Sequence, residues 1–399
     1  MGERLFDGLS VIDCASYIAG PAAATVMADF GAEVVKIEPP GAGDPYRNRT
    51  TTPNGYVHPV SPNWVLDARN KKSLALDLGT KEGNAVLHRL VAGADIFITN
   101  FPPKVRRSLG IAYEALAPLN ERLIYASFTG YGETGPEADK PGFDATAWWA
   151  RSGLMHLVRA GDDATPARSL PGMGDHPSAM AMYAAIVTAL YQRERTGKGG
   201  HVGSSLLMNG LWANGCSVQA ALCGETVAVQ PHRTLSAAPL RNHYRTADGR
   251  WLLLSIPNER RWAQLQRAMD GGELADPRFS TAEGRARHAR ALTDVLDALF
   301  AQRPIAEWRA RLDAEGVVFS IVAEMDDILS DQQMREAGAL VAFEGSDLYT
   351  VSSPFWIAGQ EKRTPHPAPR VGEHSEQVLR EAGYRMSEIA LLRDRGVIA

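Results

Sequence analysis

The chain has 399 residues, 45% hydrophobic and 22% charged, with a formal net charge of −4. That length supports a sizeable core and more than one domain, and the charge offers no electrostatic case for nucleic acid as a partner. Three widely spaced cysteines, Cys14, Cys216 and Cys223, argue against a disulfide framework and fit a reducing cytoplasm. No run approaches the ~18 apolar residues of a membrane span, and the first residues lack a signal-peptide core, so a cytoplasmic protein without a membrane partner is expected.

Residues 9–13 read as a buried strand, 21–30 as a helix closed by Gly31, and 33–38 as a second strand halted at Pro39-Pro40-Gly41. Further strands are expected over 72–78, 95–99 and 123–127, with a helix over 81–90. Strands separated by helices of this length imply βαβ units and a mostly parallel sheet. Helices are expected over 145–157 and 178–194, then a strand over 201–206 and a helix near 207–223. The periodicity breaks over 224–239, and residues 242–245 and 251–256 read as a hairpin around Ala247-Asp248-Gly249. Helical patterns over 259–269, 285–301 and 305–315 follow, then strands over 319–323 and 348–352 and a last helix after Glu373. The expected organisation is a large α/β domain over 1–210, a linker over 211–235, a smaller α+β domain over 236–320 and a return segment over 321–399.

Gly130-Tyr131-Gly132-Glu133-Thr134-Gly135 matches G-x-G-x-x-G behind a predicted strand. A dinucleotide fingerprint must open a helix, whereas Pro136 and a polar run follow here, so the motif reads as a glycine loop. The ten histidines show no metal-site spacing; each reads as a surface or satisfied core residue, and no metal is expected. No G-x-S-x-G elbow occurs. The clusters Arg69-Asn70-Lys71-Lys72 and Lys104-Val105-Arg106-Arg107 lie beside predicted strand ends, where they are either solvated faces or phosphate contacts.

In Leu170-Pro171-Gly172-Met173-Gly174-Asp175-His176-Pro177-Ser178 a carboxylate stands between a glycine turn and an expected helix start. The commoner use of such a residue is an N-cap. The alternative is an exposed nucleophile, kept anionic by the positive end of the helix. The two roles are compatible.

Asp7-Gly8-Leu9-Ser10-Val11-Ile12-Asp13, Ala19-Gly20-Pro21 and the run Asp29 to Gly41 resemble the opening of a family III CoA-transferase, the group of formyl-CoA transferase, carnitine CoA-transferase and methylacyl-CoA racemase. Arg69 to Leu78, Thr99-Asn100-Phe101, Ser127 to Pro136, Pro141-Gly142-Phe143-Asp144, Thr196-Gly197-Lys198-Gly199 and Val371-Gly372-Glu373-His374-Ser375 extend the resemblance over nearly the whole chain. It implies a Rossmann-like large domain, a smaller α+β domain and an intertwined homodimer. It further implies that Asp175 is the catalytic aspartate, attacking an acyl-CoA thioester to give a mixed anhydride and then an aspartyl-CoA thioester. The implied CoA contacts are Ile18, Ala19, Arg69, Lys71, Lys72, Asn100, Phe101, Arg107, Lys140, Phe143 and Asp144. No permanently bound cofactor is expected; acyl-CoA and a small carboxylic acid are the substrates.

Pro39 stands where some relatives have an arginine, a run of glycines seen in some members is missing, and two further departures bear directly on the chemistry. Ile18 stands where some members have a glutamine, which leaves the oxyanion donors unassigned. Phe143 precedes Asp144 where the racemase branch has a histidine, so transfer is expected over racemisation. A methylacyl-CoA racemase and a non-catalytic CoA-binding protein are the alternatives. The stretches around Phe143 and Trp148-Trp149 are most similar to transferases of aromatic or branched 2-hydroxy acids.

Overall fold

The computed structural model describes residues 4–49 and 61–399. The chain divides into two compact units: Met1–Met155, Arg168–Glu225 and Gln333–Ala399 form one, His156–Ala167 and Thr226–Gln332 the other.

The first unit is built from β1 (Ser10–Asp13), α1 (Ala19–Asp29), β2 (Glu33–Glu38), α2 (Pro62–Ala68), β3 (Lys72–Ala75), α3 (Lys81–Ala92), β4 (Ile96–Thr99), α4 (Pro103–Ser108), α5 (Tyr113–Leu116) and β5 (Ile124–Thr129). It continues through α6 (Leu154–Leu157), whose last two residues are counted with the second unit, α7 (Asp175–Thr196), β6 (Gly200–Ser205), α8 (Leu206–Ala213) and α9 (Gly215–Leu222). The six strands form one sheet in the order β3-β2-β1-β4-β5-β6, every pair parallel. β4 and β5 are buried at every residue, as strands covered on both faces must be. On one face Ala23 and Met27 of α1, with Phe30 just after it, meet Met182 and Ile186 of α7. On the other, Leu87 and Val91 of α3 pack with Phe97, Tyr125, Leu379 and Ile389, the last two from the C-terminal helices Ser375–Glu381 and Met386–Asp394. Each buried Leu, Ile, Val, Met or Phe among them contributes roughly 1.5–3 kcal/mol by burial. The C-terminal segment is tied to β3, with His374 donating its amide to Ser73 over 3.0 Å.

The second unit has its own three-stranded antiparallel sheet, β7 (His243–Arg245), β8 (Trp251–Leu254) and β9 (Phe319–Ile321), in that order. Its core holds Tyr244, Trp262, Phe300 and Trp308. A two-stranded hairpin, β10 (Leu340–Ala342) with β11 (Tyr349–Val351), belongs to the first unit.

Three local differences from the sequence expectations shape the site. The helix expected from 178 begins at Asp175, with Gly174 before it making no side-chain cap. Asp175 is therefore the first helical residue and not an N-cap. The helix expected over 145–157 is a π-helical segment, Asp144–Ala150, followed by the short α6, with Gly153 at φ +86° between them. The helix expected over 207–223 breaks at Asn214, whose side chain donates to the Ser152 carbonyl over 2.9 Å. The loop Gly130–Gly135 opens no helix; Gly130 packs so closely on Gly142 that a Cβ there would lie 2.9 Å from its Cα.

Candidate active site

In this strand order the chain direction around the sheet reverses between β1 and β4, where open α/β sheets leave a crevice at the strands' carboxyl ends. Both loops that leave those ends are held together by one side chain. Asn100 accepts the Ser16 amide at 2.8 Å and donates to the Ser16 carbonyl at 2.6 Å. Tyr17, next in the chain, has φ +64°, a conformation that non-glycine residues rarely hold. Its ring is fixed between Tyr46 at 6.1 Å and Phe143 at 5.9 Å.

A cavity of about 220 Å³ opens at this point. Ile18 just before α1 and Ala19 that opens it, Asn100 and Phe101 from the β4 loop, and Lys140 and Phe143 from the segment after β5 line it together with Asp175. Seven of the twelve residues singled out in the sequence thus meet at one place. Asp144 lies just behind, buried, accepting the Ala145 amide at 2.6 Å and the Gly174 amide at 3.4 Å. The other four lie off the cavity lining. Arg69 is buried against Asp29, with Nη2 to Oδ2 at 2.6 Å. Lys71 is buried between Asp13 Oδ2 at 2.8 Å and the Pro21 carbonyl at 2.7 Å, so its charge is spent inside the sheet. Lys72 is held by Glu381 at 3.1 Å, and the exposed Arg107 lies 3.7 Å from Asp139.

The approach of α7 explains the glycine before the aspartate. Trp148 of the π-helical segment lies so close to Gly174 that a Cβ there would meet Cγ of the indole at 2.6 Å. The close packing sets the height of the first turn of α7, and hence of Asp175. Burial, and next the Asp144 carboxylate, push the Asp175 pKa up to about 7, with His176 acting against the rise. The positive end of the helix was expected to keep this group fully anionic; desolvation and a like charge outweigh it.

Sequence reasoning missed two members of this neighbourhood. His176, taken as a bland histidine, places Nε2 3.0 Å from Asp67 Oδ1 and Nδ1 3.2 Å from the Gly172 carbonyl. Adjacency to Asp175 was the available signal for His176; nothing local marks Asp67, 109 residues upstream of it. Among the described residues no group of three or more His, Cys, Asp or Glu is arranged to hold a metal, and no helix is long and apolar enough to cross a membrane.

Residues 6–375 match the description CoA-transferase family III. The chain is 31% identical to the (R)-2-hydroxy-4-methylpentanoate CoA-transferase of Clostridioides difficile, over 99% of each protein. It is 31% identical to the cinnamoyl-CoA:phenyllactate CoA-transferase of Clostridium sporogenes, over 99% of this chain and 98% of that one. Its fold is similar to that in the crystal structure of a CAIB/BAIF family protein from Brucella suis, with a TM-score of 0.83 and 26% identity over 96% of this chain and 100% of the other.

Proposed function

Because the chain belongs to CoA-transferase family III, we propose that it moves CoA from an acyl-CoA donor to a carboxylic acid through covalent attachment to Asp175. The observation that carries this reading is the position of Asp175, at the first turn of a 22-residue helix and open to the cavity at the sheet's switch point.

A carboxylate oxygen of Asp175 attacks the thioester carbonyl carbon; the C–S bond breaks and CoA leaves as thiolate. The thiolate then attacks Cγ of the resulting mixed anhydride, releasing the donor acid and leaving an aspartyl-CoA thioester. The acceptor carboxylate attacks that thioester, giving a second anhydride and thiolate. Attack of the thiolate on the acceptor's own carbonyl then forms the new acyl-CoA and frees Asp175. Each tetrahedral intermediate needs donors for its oxyanion, and the first amides of α1, which lack intrahelical partners, lie beside Ile18 and Ala19 on the cavity wall. Anhydrides must be kept from water, for which the apolar lining by Tyr17, Ile18, Phe101, Phe128 and Leu206 is suited.

CoA is assigned to the face formed by Ile18, Ala19, Asn100, Phe101, Lys140, Phe143 and Asp144, with Arg107 and Lys72, both off the cavity lining, kept for its phosphates. Arg69 and Lys71 are assigned to the fold, since both are closed in buried pairs. The acceptor is an acid with an apolar side chain, in keeping with the aromatic walls and with the 2-hydroxy acids named for two relatives. A homodimer accounts for the exposed apolar residues Met208, Leu211, Trp212 and Leu222 on α8 and α9.

The test is mass spectrometry of protein incubated with acyl-CoA and hydroxylamine. Trapping at Asp175 is expected; an unmodified Asp175 in protein that turns over would overturn the mechanism. Exchange of the α-proton in deuterated water without any acceptor acid would instead mark a racemase. Sedimentation at the mass of two chains checks the dimer.

A further inference from the structure

The ring of His176 is held at both nitrogens. Nε2 faces Asp67 Oδ1 at 3.0 Å and Nδ1 faces the Gly172 carbonyl at 3.2 Å. A carboxylate and a backbone carbonyl only accept hydrogen bonds, and a neutral imidazole has a single N–H. Both contacts are satisfied together only by the imidazolium. Gly172 makes the fit possible, since at φ +74° it carries no Cβ that would lie 3.0 Å from ring atoms Cε1 and Nδ1.

The setting demands a cation. Asp67 is buried, and its Oδ2 has no hydrogen-bond partner among the described residues. An uncompensated buried carboxylate is strongly unfavourable. Arg69, which lines a second cavity together with Asp67 and His176, is already closed on Asp29. The other groups around the α7 start are Asp144 from the π-helical segment, Tyr46 from the turn Pro45–Asn48, whose proton is held more tightly by burial and then by Asp67, and Arg49, whose guanidinium lies 5.6 Å from the Tyr17 ring centre. Burial alone would discharge His176, but Asp67, the Gly172 carbonyl and Asp175 together raise its pKa.

We propose that His176 is a positioning residue: held as an imidazolium between Asp67 and Gly172, it places a positive charge beside Asp175 that outweighs the more distant charge of Asp67 and favours the ionised carboxylate that attacks the thioester. The inference rests on the nucleophilic role proposed for Asp175. Its function is electrostatic, since both ring protons are committed and neither is free for transfer.

Nitrogen-15 spectra of the intact protein labelled at histidine test the charge without any turnover, and so separately from the transfer reaction. Both His176 nitrogens should stay protonated to higher pH than in an ordinary histidine; a ring that loses a proton at or below the ordinary histidine pH overturns the proposal. In Asp67→Asn the ring should return towards ordinary histidine titration, and an unmoved titration would remove Asp67 from the account. In His176→Gln the rising limb of kcat/KM should move up by about one pH unit, a loss of about tenfold below the limb that is recovered above it. A loss equal at every pH, or none, overturns the role.

Discussion

Asn100 grips Ser16 from both sides, accepting its amide at 2.8 Å and donating to its carbonyl at 2.6 Å. The pair joins the loops after β1 and β4, so the cavity's floor is a property of two chain segments 84 residues apart. Asn100→Ala should cost about 1–3 kcal/mol, the loss of two hydrogen bonds with one amide and one carbonyl left unpaired. The Michaelis constant for acyl-CoA should rise with it. Urea denaturation beside steady-state kinetics checks both; an unchanged Michaelis constant would place the pair outside the substrate site.

Asp175→Asn should abolish transfer and stabilise the fold. The folded-state pKa, about 7, lies above the ordinary carboxylate value of 3.8, so the native state binds the proton more tightly than the unfolded chain. Stability from this group is therefore full below pH 3.8 and is lost as pH rises towards 7. The neutral amide escapes that loss, and a gain of about 2 kcal/mol at pH 8 is expected, shrinking towards pH 4. Had Asp175 been a cap, replacement by alanine would instead lower stability by about 1 kcal/mol. Denaturation midpoints at the two pH values distinguish these outcomes.

The same carboxyl governs the pH profile. kcat/KM should rise with pH through an inflection near 7, as Asp175 ionises. After burial, Asp144 is the leading cause of the raised value. Asp144→Asn should move the inflection to lower pH, and an unmoved limb would detach the profile from this pair.

Gly174→Ala tests the packing that sets the nucleophile's height. Its Cβ would meet the Trp148 indole at 2.6 Å, and the residue's φ of −95° adds no backbone strain. Overpacking of about 1–3 kcal/mol is expected, together with a fall in kcat as the first turn of α7 shifts. Thermal denaturation and single-turnover rates measure the two effects.

Lys140 and Lys71 separate ligand contact from fold. Lys140→Ala, on the cavity wall, should weaken CoA binding with little change in stability. Lys71→Met leaves Asp13 short of a buried partner and should cost about 3–5 kcal/mol. Calorimetric CoA titration and urea denaturation of each variant check the division.

Much of the architecture was legible in the sequence because the strands are short apolar runs bounded by turn residues. β2 was read to its observed bounds, Glu33–Glu38, and the hairpin of β7 and β8 was expected from its Ala247-Asp248-Gly249 turn. The misreadings cluster around the site. The expectation for 145–157 failed because Trp148 packs on Gly174 and Gly210, a contact with no local signature, in a segment that winds as a π-helix. For Lys71 and Arg69 the sequence left solvated faces and phosphate contacts both open, because a run of basic residues looks the same whether it faces solvent, a phosphate or buried carboxylates. Asp13 and Asp29, their partners, are 58 and 40 residues away in sequence.

By itself the sequence determined the alternation of strands and helices, the glycine-flanked aspartate and the order of motifs that marks the family. Those features are local, written in hydrophobic spacing and turn chemistry over a few residues. Only the tertiary structure decided that Asp175 begins its helix and does not cap it. It also decided that Asp144 and burial raise the Asp175 pKa and that Asp67 reaches His176. Electrostatics depends on distance and burial in space, and the residues that set it here come from α2, the π-helical segment and α7.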